Sequence, residues 1–168
     1  MSQKTRLLIA VAIILVIAGS LLGVEAFLRQ KQTIEDAEGE LTLSPGSIPI
    51  YVNGKLAYGF NPEDLADLGK ISFVDAEEGK TQEGWALRDI LRLYIAPENL
   101  EAETRITVSS SSRDRSVQLT WAEVDDPENW VLFDLSGRGT LKLVSTLEGF
   151  DTRDDWVQDT DKIEITTP

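Results

Sequence analysis

The sequence contains no cysteine and no histidine among its 168 residues. Their absence excludes disulfides, thiolate nucleophiles and zinc sites built from these side chains, and it also excludes a serine nucleophile activated by an imidazole base. A serine activated by a lysine is not excluded, but no lysine lies near the four consecutive serines at residues 109–112. Whether the chain is an enzyme stays open, and the missing side chains favour a function other than catalysis.

Basic residues are also scarce, since 16 Lys and Arg stand against 29 Asp and Glu, which gives a formal net charge of −13. The imbalance lies beyond residue 31, because residues 32–168 hold twelve basic and twenty-eight acidic residues, a net charge of −16. Affinity for nucleic acid comes largely from cations that neutralise phosphates. The sequence therefore predicts no nucleic-acid partner, and an acidic surface of this kind commonly keeps a protein soluble.

The longest apolar run, LLIAVAIILVIAGSLLGV, covers residues 7–24 without a charge. About 18 to 20 such residues are needed for a helix to cross the hydrocarbon core of a bilayer. Lys4 and Arg6 precede the run, and the positive-inside rule then places the amino terminus in the cytoplasm. We predict a single-pass membrane anchor over residues 1–28, with the rest of the chain on the extracytoplasmic side of the cell membrane.

A cleaved signal peptide is the alternative interpretation of this segment, since residues 18–20 and 24–26 resemble small-residue cleavage sites. The run is longer than the usual apolar region of a signal peptide, about 7 to 15 residues, which favours a retained anchor. A buried core helix would need a polar face, and the run has none. Residues 29–46 are polar, acidic and end in Pro-Gly, so they predict a linker before a folded domain over residues 47–168.

The domain carries signals for both strands and helices. Asn53–Gly54 lies between two runs rich in Ile, Val, Tyr and Phe, which predicts a hairpin over about 48–60. Asn61 as a helix cap, Pro62 after it and Gly69 as a terminator predict a short helix over 61–69. The spacing of apolar residues from Trp85 to Tyr94 predicts a second helix. We expect an α+β domain, with helical turns after residues 120 and 152 and further strands at 70–74, 104–110, 116–120, 130–135, 140–145 and 162–166.

The four serines are followed by Arg113, Asp114 and Arg115, between two predicted strands. Polar residues at this place favour a hairpin with a solvated tip. The functional alternative is a site for a small anionic ligand, since guanidinium groups and hydroxyls bind anions, although Asp114 cancels part of the charge. The candidate ligand-binding residues are Arg113, Arg115, Arg138 and Lys142.

Two further clusters have a structural and a functional interpretation. The segment 151–161 contains five aspartates that could attract calcium, but it lacks the spacing of an EF-hand, which favours a solvated acidic face. The tryptophans could form a sugar-binding platform, but their apolar neighbours favour packing in the core. The tryptophans are Trp85, Trp121, Trp130 and Trp156.

Four segments follow one another in an order that carries a resemblance. They are EGWALRDIL at 83–91, RITVSSSSRDRSVQLTWAEV at 105–124, WVLFDLSGRGTLKLVSTLEGF at 130–150 and WVQDTDKIEI at 156–165. The spacing Gly-x-x-Leu-x-Asp-x-Leu matches residues 84–91, and Gly137 to Leu141 approximates a Gly-x-x-Leu element. Over about 47–166 the order resembles the sulfite oxidase-like, oxidoreductase molybdopterin-binding domain family, and it implies the mixed-sheet fold of that family.

In active members of this family a cysteine ligates molybdenum, and the resemblance places it around Phe73 to Ala76, where this chain reads Phe-Val-Asp-Ala. Asp75 in its place would deprive molybdenum of its soft sulfur ligand. We therefore expect a kept fold, no metal, no molybdopterin, and a membrane-anchored domain that binds or assembles with a membrane protein complex. The alternatives are a molybdopterin-dependent oxidoreductase or its accessory subunit, and a binder of small anionic ligands.

Overall fold

Residues 42–168 are the part of the chain that the computed structural model describes, and strands dominate it. Two short α-helices, α1 (Leu87–Tyr94) and α2 (Trp121–Asp125), confirm the predicted α+β class. The 3-10 turns are Pro62–Leu65, Pro97–Asn99, Ser111–Arg113 and Pro127–Asn129. The strands are β1 (Ile48–Val52), β2 (Lys55–Phe60), β3 (Lys70–Val74), β4 (Thr81–Ala86), β5 (Arg105–Ser110), β6 (Arg115–Thr120), β7 (Leu132–Leu135), β8 (Leu141–Val144) and β9 (Lys162–Thr166).

The strands form two sheets, one with five strands in the order β2-β1-β9-β5-β6 and one with four in the order β3-β4-β7-β8. β1 and β9 pair in parallel, and the other pairs are antiparallel. Apolar side chains from both sheets and from both helices belong to one buried cluster. Its members with no exposed surface include Ile50, Ile106 and Ile163 of the first sheet, Leu132, Phe133 and Leu143 of the second, and Ile90 and Leu91 of α1.

The first hairpin is where the sequence predicts it, between β1 and β2. Asn53 has φ of 51° and Gly54 has φ of 77°. A two-residue turn with positive φ at both central positions matches the right-handed twist of the flanking strands, and Asn-Gly is the dipeptide that accepts this geometry most readily. The Asn-Gly signal is therefore confirmed.

The predicted second helix begins later than expected, because residues 81–86 form β4 between β3 and β7. A Cβ atom at Gly84 would lie 1.8 Å from the carbonyl oxygen of Phe133, so this glycine allows β4 and β7 to approach. The predicted helix over 61–69 is only the 3-10 turn Pro62–Leu65. The expected helical turn after residue 152 is a single hydrogen-bonded turn, in which Asp155 N donates to Thr152 O at 3.0 Å.

The predicted anchor, residues 1–28, and most of the predicted linker lie outside the described residues. The last linker residues lie inside them, and a Cβ at Gly59 would meet the Leu43 side chain at 2.5 Å, so Leu43 packs against β2. Within residues 42–168, no helix has the length and hydropathy required to span a membrane.

Candidate functional site

The serine run covers the end of β5, at Ser109 and Ser110, and enters the turn at the tip of the β5–β6 hairpin, at Ser111 and Ser112. Ser111 and Ser112 are exposed. Ser110 is only 1% exposed, and its Oγ donates a hydrogen bond to the carbonyl oxygen of Asp159 at 2.9 Å. The prediction of a solvated tip is therefore wrong for Ser110. The signal that could have found this is the alternation along β5, since Ser110 follows the buried Val108 by two residues and so shares its face.

The Asp159 carboxylate is the centre of a polar cluster, the Asp159 cluster, which also contains Arg113, Arg138 and Thr140. Arg113 Nε donates to Oδ2 at 2.7 Å, and Thr140 Oγ1 donates to Oδ1 at 2.7 Å. Arg138 Nη2 lies 3.2 Å from Oδ1. The hydrogen bond from Thr140, and then that from Arg113, lowers the pKa of the Asp159 carboxyl below its ordinary value. The cluster therefore stabilises the charged form of this aspartate.

Three separate turns supply the Asp159 cluster. Arg113 comes from the turn between β5 and β6, Arg138 from the turn between β7 and β8, and Asp159 from the segment that leads into β9. Asp159 has φ of 54°, a left-handed conformation that aspartate tolerates better than most residues. The cluster therefore ties the hairpin tips of the two sheets together through one carboxylate.

The structure brings together two of the four predicted ligand-binding residues, the two arginines of the Asp159 cluster. Arg115 and Lys142 form ion pairs with other carboxylates, so the four residues do not form one site. Each of the four already has an anionic partner within the chain, and an external anion would have to displace it. The closest ion-pair distances are 2.6 Å for Arg113–Asp159, 3.2 Å for Arg138–Asp159, 3.8 Å for Arg115–Asp155 and 2.9 Å for Lys142–Asp134.

A second polar network, the Asp75 network, contains Asp75, Gln82, Lys142 and Asp134. Asp75 and Gln82 are each 3% exposed. Asp75 Oδ1 accepts from the backbone N–H of Glu78 at 2.7 Å, and Oδ2 accepts from Gln82 Nε2 at 2.9 Å. Gln82 Oε1 accepts from Lys142 Nζ at 2.8 Å. The backbone hydrogen bond from Glu78 contributes most to lowering the pKa of Asp75.

Asp75 stands where the family resemblance places the molybdenum-ligating cysteine. Its two oxygens already accept hydrogen bonds from the chain, and an oxygen ligand does not replace the soft thiolate. The residues at this position therefore do not fit a molybdenum centre held as in the family. Within residues 42–168, histidine, cysteine, aspartate and glutamate side chains form no group of three placed to hold a metal ion.

The aspartates of segment 151–161 have individual roles and do not share one face. Asp151 and Asp154 are exposed, which agrees with a solvated acidic surface. Asp159 belongs to the Asp159 cluster, and its side chain is only 17% exposed. Asp161 Oδ2 accepts the backbone N–H of Ser111 at 2.8 Å. The acidic-face prediction is therefore right for the first pair and wrong for Asp159.

An apolar groove of about 410 Å³ lies at the carboxyl end of α1. It is lined by Arg92, Ile95, Pro97, Leu100 and Trp121, and we call it the Trp121 groove. Ile95, Leu100 and Trp121 are each less than 10% exposed, whereas Pro97 is exposed. The guanidinium carbon of Arg92 lies 5.7 Å from the centre of the Trp121 ring. The groove therefore has an apolar floor and one cation over its aromatic ring.

Local backbone bonds hold the parts of the Trp121 groove together. Thr120 caps α2, since its Oγ1 accepts the backbone N–H of Glu123 at 3.3 Å while its own backbone N–H donates to Glu123 Oε2 at 2.7 Å, and Trp121 is the first helical residue. Trp121 N donates to Thr104 O at 2.8 Å, and Ala122 N donates to Ala102 O at 3.1 Å. The chain that follows the 3-10 turn Pro97–Asn99 is therefore fixed beside α2.

The sequence did not predict the Trp121 groove, because its lining comes from α1, the following turn and α2. Core packing was the prediction for the tryptophans, and it is confirmed for three of them. Trp130 is only partly buried. The buried tryptophans are Trp85, Trp121 and Trp156, at 5%, 7% and 3% exposure.

The resemblance to the sulfite oxidase-like family rests on the order of the motifs alone. No protein-family model and no curated protein matches the chain.

Proposed function

We propose that the chain is a membrane-anchored extracytoplasmic domain that binds a partner protein of a membrane complex through the Trp121 groove. The observation that carries the proposal is the groove itself, a recess of about 410 Å³ with three buried apolar side chains in its lining. Concave sites with mostly apolar lining and a few polar groups are the usual places where proteins take ligands and anchor side chains.

The remaining exposed apolar side chains do not offer a comparable surface. Within residues 42–168 the large apolar side chains that are exposed are Val74, Leu93 and Leu135, which lie on β3, α1 and β7. Singly exposed apolar residues are normal on a protein surface and need no partner. The groove is therefore the surface feature to which we assign partner binding.

The predicted anchor supplies the place where binding would occur. The apolar run at residues 7–24, preceded by two cations, would hold the domain at the outer face of the membrane. Partners restricted to the same membrane meet such a domain at a raised effective concentration. The family fold is part of this proposal, and the mixed five-stranded sheet with its parallel β1–β9 pair is compatible with it.

Site-specific photo-crosslinking of the full chain in its native membrane tests the proposal. A photoreactive amino acid replaces Pro97, which lines the groove and is exposed. The matched control replaces Ser112, also exposed, at the other end of the six-residue strands β5 and β6, about 20 Å away at the usual rise per residue. We expect one discrete crosslinked protein from position 97 and none from position 112. Equal or absent crosslinking at both positions would contradict the proposal.

Two other functions have distinct signatures in the purified full chain. Stoichiometric molybdenum in elemental analysis would favour the molybdopterin-dependent oxidoreductase or accessory subunit. An anion that raises the melting temperature in proportion to its concentration would favour the small-ligand binder. The physical basis for a small-ligand binder is the Asp159 cluster, where the guanidinium groups of Arg113 and Arg138 already bind one carboxylate.

A further inference from the structure

We infer that the occupant of the Trp121 groove is a basic segment of the partner protein, with one large apolar side chain in the groove and lysine or arginine residues beside it. The inference rests on the proposed function and names the chemistry of its partner. It follows from the apolar floor of the groove and from the charge of the chain around it.

Three glutamates border the groove, and we call them the acidic rim. Glu98 and Glu101 are next in the chain to the lining residues Pro97 and Leu100. Glu103 lies between Ala102 and Thr104, whose carbonyl oxygens accept the backbone N–H groups of Ala122 and Trp121. The rim residues therefore lie within one residue of the groove lining or of the backbone that is hydrogen-bonded to α2.

The side chains of the acidic rim have no partner of their own. Glu98, Glu101 and Glu103 are exposed, and they make no side-chain hydrogen bond or ion pair within residues 42–168. Unpaired carboxylates on the surface raise no folding problem, because water solvates them. Their concentration beside an apolar recess nevertheless gives the recess a negative field that attracts cations.

The cations near the groove do not cancel this field. Arg92 pairs with Asp125 and lies 3.8 Å from Asp89, and Arg88 Nε lies 3.8 Å from Asp89 as well. The two arginines of α1 are therefore balanced by two carboxylates. Arg105, exposed at the start of β5, is next in the chain to Thr104, and this single positive charge does not balance the three glutamates of the rim.

The shape of the site decides between a single ion and a peptide segment. The apolar floor offers no carboxylate that would coordinate a small cation inside the groove, and the volume of about 410 Å³ suits a large side chain. The glutamates are exposed and are not among the lining residues, so they remain available to residues that flank an inserted side chain. An extended segment with an apolar residue between basic residues satisfies both parts of the site.

The test uses the full chain in detergent and three labelled synthetic peptides. The probe peptide has one phenylalanine flanked on each side by two lysines, one control replaces the phenylalanine by alanine, and the other replaces the lysines by glutamates. We expect binding of the probe to weaken at least about tenfold on loss of the phenylalanine, because burial of this side chain removes a large apolar surface from water. Binding of the acidic peptide is expected to be undetectable. A higher salt concentration is expected to weaken binding of the probe peptide, because salt screens the attraction between opposite charges.

A matched pair of variants separates the acidic rim from net charge. The first carries Glu98→Lys, Glu101→Lys and Glu103→Lys, and the second carries Glu148→Lys, Asp151→Lys and Asp154→Lys, which are also exposed. Both change the net charge by the same amount. The rim variant is expected to bind the probe at least about tenfold more weakly, since attraction becomes repulsion at three positions. The second variant is expected to bind within about threefold of the unmodified chain.

The two experiments together distinguish failure of the inference alone from failure of the proposed function. Equal weakening in both variants, or an unchanged rim variant, would overturn the basic-segment inference. If crosslinking from position 97 still captures a discrete partner in that case, the proposed function stands without its acidic-rim specificity. If position 97 captures nothing and the probe does not bind, both fail together.

Discussion

At the scale of single residues, the most consequential side chain is one that local sequence does not mark. Asp159 looks like one more aspartate in an acidic segment, yet it accepts hydrogen bonds from Arg113 and Thr140. Arg113 is 46 residues away in the chain. Periodicity and turn signals act over a few residues, so the sequence predicted the arginines as candidates and could not predict the carboxylate they share.

The Asp159 cluster predicts a loss of stability on neutralisation of its carboxylate. Asp159→Asn keeps the size of the side chain and removes its charge, and we expect the free energy of unfolding to fall by about 1 to 2 kcal/mol at pH 7. Hydrogen bonds to charged groups stabilise a protein more than hydrogen bonds between neutral groups, but ion pairs with exposed arginines contribute less than buried ones. Urea denaturation measures the change. Asp154→Asn, at an exposed aspartate, serves as the control and is expected to stay within about 0.5 kcal/mol.

The same variant also has a predicted pH dependence. The folded-state pKa of Asp159 is lowered, so its contribution is present above the unfolded pKa, about 3.9, and is lost as the pH falls through the folded pKa. The difference in unfolding free energy between the unmodified chain and Asp159→Asn should therefore shrink below about pH 4. A difference that stays constant from pH 7 to pH 3 would contradict the assigned role.

At the scale of secondary-structure elements, sequence signals predicted the elements correctly where the signal is local. They failed where one apolar pattern runs through a strand and the helix that follows it. The Asn53–Gly54 turn has its geometry encoded in two residues, and the hairpin is where it was predicted. The stretch from Gly84 to Tyr94 contains the end of β4 and the whole of α1. Its apolar spacing suits a helix throughout, and only the close approach of β4 to β7 requires strand geometry at its start.

Gly84 gives that close approach a direct test. Gly84→Ala would place a methyl group 1.8 Å from the carbonyl oxygen of Phe133, so strands β4 and β7 would have to separate. We expect a loss of at least about 2 to 3 kcal/mol in unfolding free energy, as for severe overpacking. Gly137→Ala is the control, because no atom lies within 4 Å of its added Cβ, and it should change stability by less than about 1 kcal/mol. Equal effects would argue against the packing of β4 on β7.

At the scale of the whole molecule, the class of the domain could be predicted and its surface sites could not. Several strands with two short helices were enough to indicate α+β. The order of strands in the two sheets depends on pairings between distant segments, such as β1 with β9, which periodicity does not encode. The Trp121 groove arises for the same reason, because its lining residues meet only after α1, the following turn and α2 have packed.

The membrane anchor is the whole-molecule prediction with the clearest physical basis. Eighteen uncharged residues span about 27 Å as a helix, close to the roughly 30 Å hydrocarbon core of a bilayer. The full chain is therefore expected to stay in the membrane pellet after carbonate extraction, and a chain without residues 1–28 is expected in the supernatant. Leu15→Arg, near the middle of the run, should release part of the protein, because a central arginine costs about 2.5 to 3.5 kcal/mol on insertion. Leu15→Ala should stay in the pellet, whereas a mature amino terminus at Phe27 would identify a cleaved signal peptide and overturn the anchor.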